Sequence, residues 1–219
     1  MKCARIMEKI GQVFMFTLFL CTYDNSLADN TAPPKIRDAI TVPATLNTDP
    51  TLQIHIGLFT VKFEETSLNE IKNTIGPGVI RHSGDAGKSQ YWLCYSTPGV
   101  RIWFISHGEM GGLEHALTRV IAVSESSTSQ RDSDCPLMPD KFHSISFPFG
   151  WIGTTKKALL EALGPPSGTA NGSLKYFYER PILDKDHGNT IIGYVDGYVD
   201  MRLLNSRVTM LDAGHITSY

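Results

Sequence analysis

Three polar stretches could do chemistry in this sequence, and each falls short of a requirement. His107, Glu109, Glu114 and His115 form the densest set of metal-binding and acid/base side chains. Zinc proteases place two imidazoles on one helix face and add a third ligand. Here His107-Gly108-Glu109 falls at the end of an apolar run and Gly111-Gly112 suggests a turn, so the spacing predicts a loop. A metal-dependent exported hydrolase using His107, Glu109 and His115 is therefore the alternative reading, and structural or solvated loop residues the plainer one. Gly87-Lys88-Ser89 ends like a phosphate-binding loop. However, His82 stands where the first glycine is required, and an aromatic run follows where a helix should offer its N-terminus. Asp184, Asp186 and Asn189 have the residue types of a calcium loop, but the glycine and closing glutamate are misplaced, and a polar hairpin tip explains them equally well. No Gly-x-Ser-x-Gly elbow is present. These stretches assign no catalytic residue, no metal ligand and no cofactor.

The cysteines carry chemistry of another kind. Cys3 and Cys21 lie in a leader-like segment: Lys2, Arg5 and Lys9 come first, then an apolar run from Val13 to Leu20, then Ser26-Leu27-Ala28. The run is shorter than the roughly 20 residues of a membrane span, so residues 1–28 read as a secretory signal cut after Ala28. The chain that remains carries only Cys94 and Cys135. In an oxidising compartment such a pair is most simply a disulfide, against a reactive thiol with a histidine base as its rival. Formal charge is −2 for the whole chain, and the leader removes a net +1. With no basic cluster to grip phosphates, a nucleic-acid partner is not expected. Nor is a membrane span after signal cleavage.

The elements that must position these residues follow from periodicity and turn chemistry. Residues 29–50 contain Pro33, Pro34, Pro43 and Pro50 and few large apolar side chains, which predicts an extended lead-in. Leu52, Ile54, Ile56 and Leu58 alternate with polar or small residues, the period of a half-buried strand. Ser67 with Glu70 three residues on starts a helix whose stripe is Leu68, Ile71 and Ile75, and Gly76-Pro77 stops it. The same signals return 87 to 88 residues later: Thr154 as cap, Leu159, Ala162 and Leu163 as stripe, Gly164-Pro165 as stop. Tyr91 to Tyr95 matches Leu174 to Tyr178, and Val100 to Ile105 matches Thr190 to Val195, all rich in β-branched and aromatic residues. Last strands are expected near Leu117 to Val123 and Val208 to Leu211. The expectation is an α+β protein of two tandem modules, each a short helix packed on an antiparallel sheet: a first module over 51–124, a loose linker over 125–140 and a second module over 141–219.

Ile152 to Lys156, Leu163-Gly164-Pro165 and Tyr176-Phe177-Tyr178 resemble the pattern of the SmpA/OmlA (BamE-type) envelope proteins and of the similarly folded β-lactamase-inhibitory protein. The resemblance implies a binding role outside the cytoplasm, periplasmic or secreted, without cofactor. Bulky residues occupy both alternating sets of the expected strands, and one short helix covers only one sheet face. The other face must meet a sister module or a partner protein. Tyr91, Tyr95, Trp103, Tyr176, Tyr178 and Tyr194 are the candidate partner-binding residues, because Tyr and Trp supply much of the energy at interfaces. A small-ligand carrier with a cleft between the modules is a further alternative.

Overall fold

The computed structural model describes residues 31–34, 42–85, 88–108, 115–125, 135–170 and 172–219. The expected leader over 1–28, Gly87, Glu109, Gly111-Gly112, Glu114 and most of the expected linker lie outside them.

Two short helices form where capping and stop signals place them. α1 spans Leu68–Ile75, and the Ser67 hydroxyl accepts from the Glu70 N–H. α2 spans Lys156–Leu163, but its cap is Thr155, whose hydroxyl accepts from the Ala158 N–H. Thr154, the expected cap, instead accepts from the Trp151 N–H and shapes the preceding turn. Gly76 and Gly164 follow the helices with φ of 118° and 75°, a backbone region that disfavours any Cβ. α1 buries Leu68, Ile71 and Ile75, whereas α2 buries Leu159 alone and leaves Ala162 exposed.

The strands are β1 Gln53–Ile56, β2 Phe59–Lys62, β3 Arg81–Ser83, β4 Gln90–Thr97, β5 Val100–His107 and β6 Arg119–Ser124. After these come β7 Ile145–Ser146, β8 Gly168–Ala170, β9 Ser173–Asp184, β10 Thr190–Leu204 and β11 Arg207–Ser218. β1, β2 and β7 make a small sheet in the order β2-β1-β7. All the others join one antiparallel sheet in the order β3-β4-β5-β6-β11-β10-β9-β8.

This overturns the expected fold class. The chain is mostly β, and it is not two helix-on-sheet modules each with its own sheet. β6 and β11 pair along Val123↔Met210 to Arg119↔Gly214, which removes two edges that would otherwise expose unpaired N–H and C=O groups. Joining is thus edge to edge. The first strand, expected as part of a module sheet, sits in the separate small sheet.

One face of the large sheet carries Leu93, Tyr95, Ile102, Phe104, Val120, Ala122, Leu211, Ala213, Val199, Met201, Leu174 and Tyr176. Both helices and the small sheet supply Ile54, Ile56, Val61, Leu68, Ile71 and Leu159 to the same buried cluster. Each such side chain contributes about 1.5–3 kcal/mol of transfer free energy, so this layer is the main source of stability. The opposite face holds a smaller cluster of Trp92, Cys94, Trp103, Ile105, Ile121 and Cys135. There Cys94 and Cys135 form a disulfide. Backbone bonds also hold the segment after Cys135: the Ser96 N–H donates to Pro136 O, and the Met138 N–H donates to Ser96 O, pinning it to β4.

Candidate interaction face

The six aromatic residues do not share one surface. Tyr95 and Tyr176 are fully buried on the helix side. Each hydroxyl donates over 3.3 Å to the carbonyl of a helix-stopping glycine, Tyr95 to Gly76 and Tyr176 to Gly164. Burial pushes both phenols above their ordinary range. They anchor helix ends, and neither ring is open to a partner. Tyr95 therefore corresponds to Tyr176, two residues from the Tyr178 that sequence matching pairs with it. A slip of two keeps the same face, so alternation alone does not reveal it. Trp103 is buried on the opposite face, its indole N–H donating to Thr31 O at 2.8 Å. Tyr91 is half-buried and stacks on His82 and His115 at ring distances of 4.3 and 5.4 Å. Tyr178 is half-buried on the helix side, opposite Gly197. Tyr194 alone of the six is exposed, on the helix-free side.

The other stretches singled out by residue type serve structure where they are described. His107 Nδ1 lies 3.1 Å from the Thr118 hydroxyl, and partial burial, then the Arg119 charge, lowers its pKa. His115 stacks on Tyr91. Among the described residues no three His, Cys, Asp or Glu side chains gather as a metal site. Ser89 bonds His82 at 2.7 Å and leads into β4, not into a helix. Asp184 is spent on its own turn, accepting from the Asp186 and His187 N–H groups and pairing with the His187 ring at 2.6 Å.

Two buried ionic clusters escape any local sequence signal. Arg119 grips Asp212 with two 2.7 Å bonds between β6 and β11, and the Tyr198 hydroxyl joins at 3.4 Å. Burial opposes the Arg119 charge, but the bonds to Asp212 outweigh it and hold the guanidinium charged. On the other side of the sheet, His215 Nδ1 meets Asp49 at 2.7 Å and Nε2 lies 3.3 Å from Glu64. Burial disfavours His215 as a cation, yet bonding to Asp49 and the charges of Asp49 and Glu64 raise its pKa. Asp49 is lowered in turn: burial works against its charge, and the His215 and Thr51 bonds prevail. This clamp ties the lead-in, the turn after β2 and β11 together. Thr45 and Leu46 N–H groups add bonds to Phe177 O, so the lead-in straps the edge of β9.

Beyond its disulfide cluster and the mostly buried Lys175, Asp200 and Asp212, the helix-free side exposes large side chains toward the far end of β9, β10 and β11. Tyr194 is 38% and Ile216 41% exposed there, with Leu183 and Ile191 exposed farther along the β9–β10 ribbon. Two surface depressions accompany it elsewhere: one of about 620 Å³ beside Thr155, Lys156 and Arg207, and one of about 460 Å³ between the lead-in and the end of α2. No helix among the described residues is long and apolar enough to cross a membrane.

No protein-family model matches the chain, so the SmpA/OmlA resemblance finds no support there, and no curated protein matches it in sequence. Among solved structures, one described as a "putative beta-lactamase inhibitor protein" from Streptococcus mutans is similar at 11% identity. The likeness covers 70% of this chain and 82% of that one, with a TM-score of 0.24. It is too slight to bear on the fold or function of this chain.

Proposed function

We propose that this chain is an exported, non-catalytic binding protein that engages another protein through the helix-free side of its large sheet. One observation carries the reading: helices and small sheet cover one side, while the side bearing Tyr194 and Ile216 leaves large apolar groups open to solvent. Exposed apolar residues clustered on a flat, rigid surface are a common mark of protein interfaces. The Cys94–Cys135 disulfide supports export, since such bonds persist in oxidising compartments, and the leader-like first 28 residues point the same way.

A photo-crosslinking amino acid at Tyr194, in protein expressed in its native host, tests the reading. A discrete adduct from Tyr194 is expected, with none from Leu58, which is exposed in the turn between β1 and β2. Equal labelling from both positions, or none from Tyr194, refutes it.

A further inference from the structure

β9 and β10 outrun their neighbour. Ser218, the last β11 residue in register, stands opposite Tyr194, and past that pair the register described for β10 is with β9. By alternation, Glu179, Pro181 and Leu183 of β9 face the helix-free side, as do Tyr194 and Asp196 of β10 and Ile216 of β11. Asp196 is directly opposite Glu179 on one flank and Ile216 on the other. Two carboxylates thus meet in register inside an apolar strip.

Like charges directly opposite on neighbouring strands destabilise a sheet. Asp196 Oδ1 is buried with no hydrogen-bond partner among the described residues, and a buried acceptor without a donor is costly. Burial and then the Glu179 charge raise the Asp196 pKa, with only His215 across the sheet acting against them. Among the described residues, two cations of that side are committed elsewhere: Lys175 to Asp200 at 3.0 Å and Arg119 to Asp212. Arg202 is six residues from Asp196 along β10, about 20 Å at the rise of a strand. The missing partner is a cation with N–H donors.

We infer that the strip of Leu183, Tyr194 and Ile216 around Asp196 and Glu179 receives a partner-protein segment bearing an arginine or lysine flanked by apolar side chains. This rests on the protein-binding reading above and adds the chemistry of the partner. The cation sits over the two carboxylates and supplies the counter-charge they lack, while its apolar neighbours cover Tyr194 and Ile216. A second copy of the chain would bring its own carboxylate pair to the contact. An anionic lipid surface would be repelled by the same pair.

Selection from a random twelve-residue peptide library against the immobilised full chain tests this. Recovered peptides should carry Arg or Lys beside aromatic or aliphatic residues and should shift the amide resonances of Tyr194 and Ile216. Replacing the selected arginine by citrulline, of nearly equal shape and no charge, should weaken binding at least tenfold. The E179Q/D196N variant should lose that difference while melting no lower than the parent, because the like-charge pair is relieved. Neutral or acidic selected sequences, equal affinity for arginine and citrulline peptides, or recovery of no peptide acting at Tyr194 overturns the inference. So does preferential sedimentation with phosphatidylglycerol vesicles, or a concentration-dependent dimer that E179Q/D196N strengthens. An adduct at Tyr194 combined with charge-independent peptides would remove the cation and leave the wider protein-binding reading standing.

Discussion

Reducing the Cys94–Cys135 bond should cost this protein about 4 kcal/mol of stability. The bond joins residues 41 apart. In the chain-entropy relation, a loop of that length restricts the unfolded chain by about 13 cal/mol/K, which is about 4 kcal/mol at 298 K. Reduction is a cleaner perturbation than substitution, because both sulfurs stay in place between Trp92, Trp103 and Ile121 and no cavity opens. Native contacts of the bridged segment persist, since the backbone bonds between Ser96 and residues 136 and 138 do not involve sulfur. The effect therefore falls on the unfolded state. Urea titration followed by tryptophan fluorescence, with and without reductant, reads it directly. With a slope of about 2 kcal/mol/M, the midpoint should fall by about 2 M, and the slope should rise as the unfolded chain expands. A reduced protein within about 1 kcal/mol of the oxidised one would refute the reasoning, showing that the unfolded chain keeps this loop closed without the bond.

Other perturbations probe the two ionic clusters and the helix anchors. R119M should destabilise by about 3–5 kcal/mol, because Asp212 would remain buried without its cation, whereas R119M/D212L should recover much of that loss; denaturant titration of both variants decides it. Stability from the His215 clamp should show a window in pH. The raised His215 pKa gives a contribution complete below the ordinary 6.5 and lost as pH climbs through the folded value. The lowered Asp49 pKa gives one complete above the ordinary 3.8 and lost as pH falls through its folded value. Unfolding free energy should therefore decline on both sides of the interval between them, and His215→Gln should flatten the profile. Tyr95→Phe and Tyr176→Phe should each cost about 1 kcal/mol, one hydroxyl bond apiece, and exchange of nearby helix-end amides should accelerate by the corresponding factor.

How much was legible beforehand follows the reach of the interactions. Ser67 caps a donor three residues away, and Gly76 and Gly164 end helices through their own backbone angles, so signals within one turn of chain announced both helices. β-Branched and aromatic runs announced strands over 91–95 and 100–105, but with both alternating sets bulky they did not announce which set would face the helices. The Cys94–Cys135 pair followed from setting aside the two cysteines of the leader-like segment and counting the rest.

Distance along the chain marks what escaped. Arg119 and Asp212 are 93 residues apart, and Asp49 and His215 are 166 apart. No periodicity links such positions. Tyr95 and Tyr176 looked like surface anchors because an aromatic strand residue reads the same on either side; the helix ends above them made them core. Whether two similar runs of strands stack face to face or join edge to edge is equally silent in composition, since both arrangements use the same β-branched and aromatic residue types. The sequence determined local elements, because caps, stops and pleats are short-range. Tertiary structure alone decided that β6 meets β11, that the lead-in is strapped across β9, and that Tyr194 and Ile216 remain exposed, because those outcomes depend on which strand edges find one another.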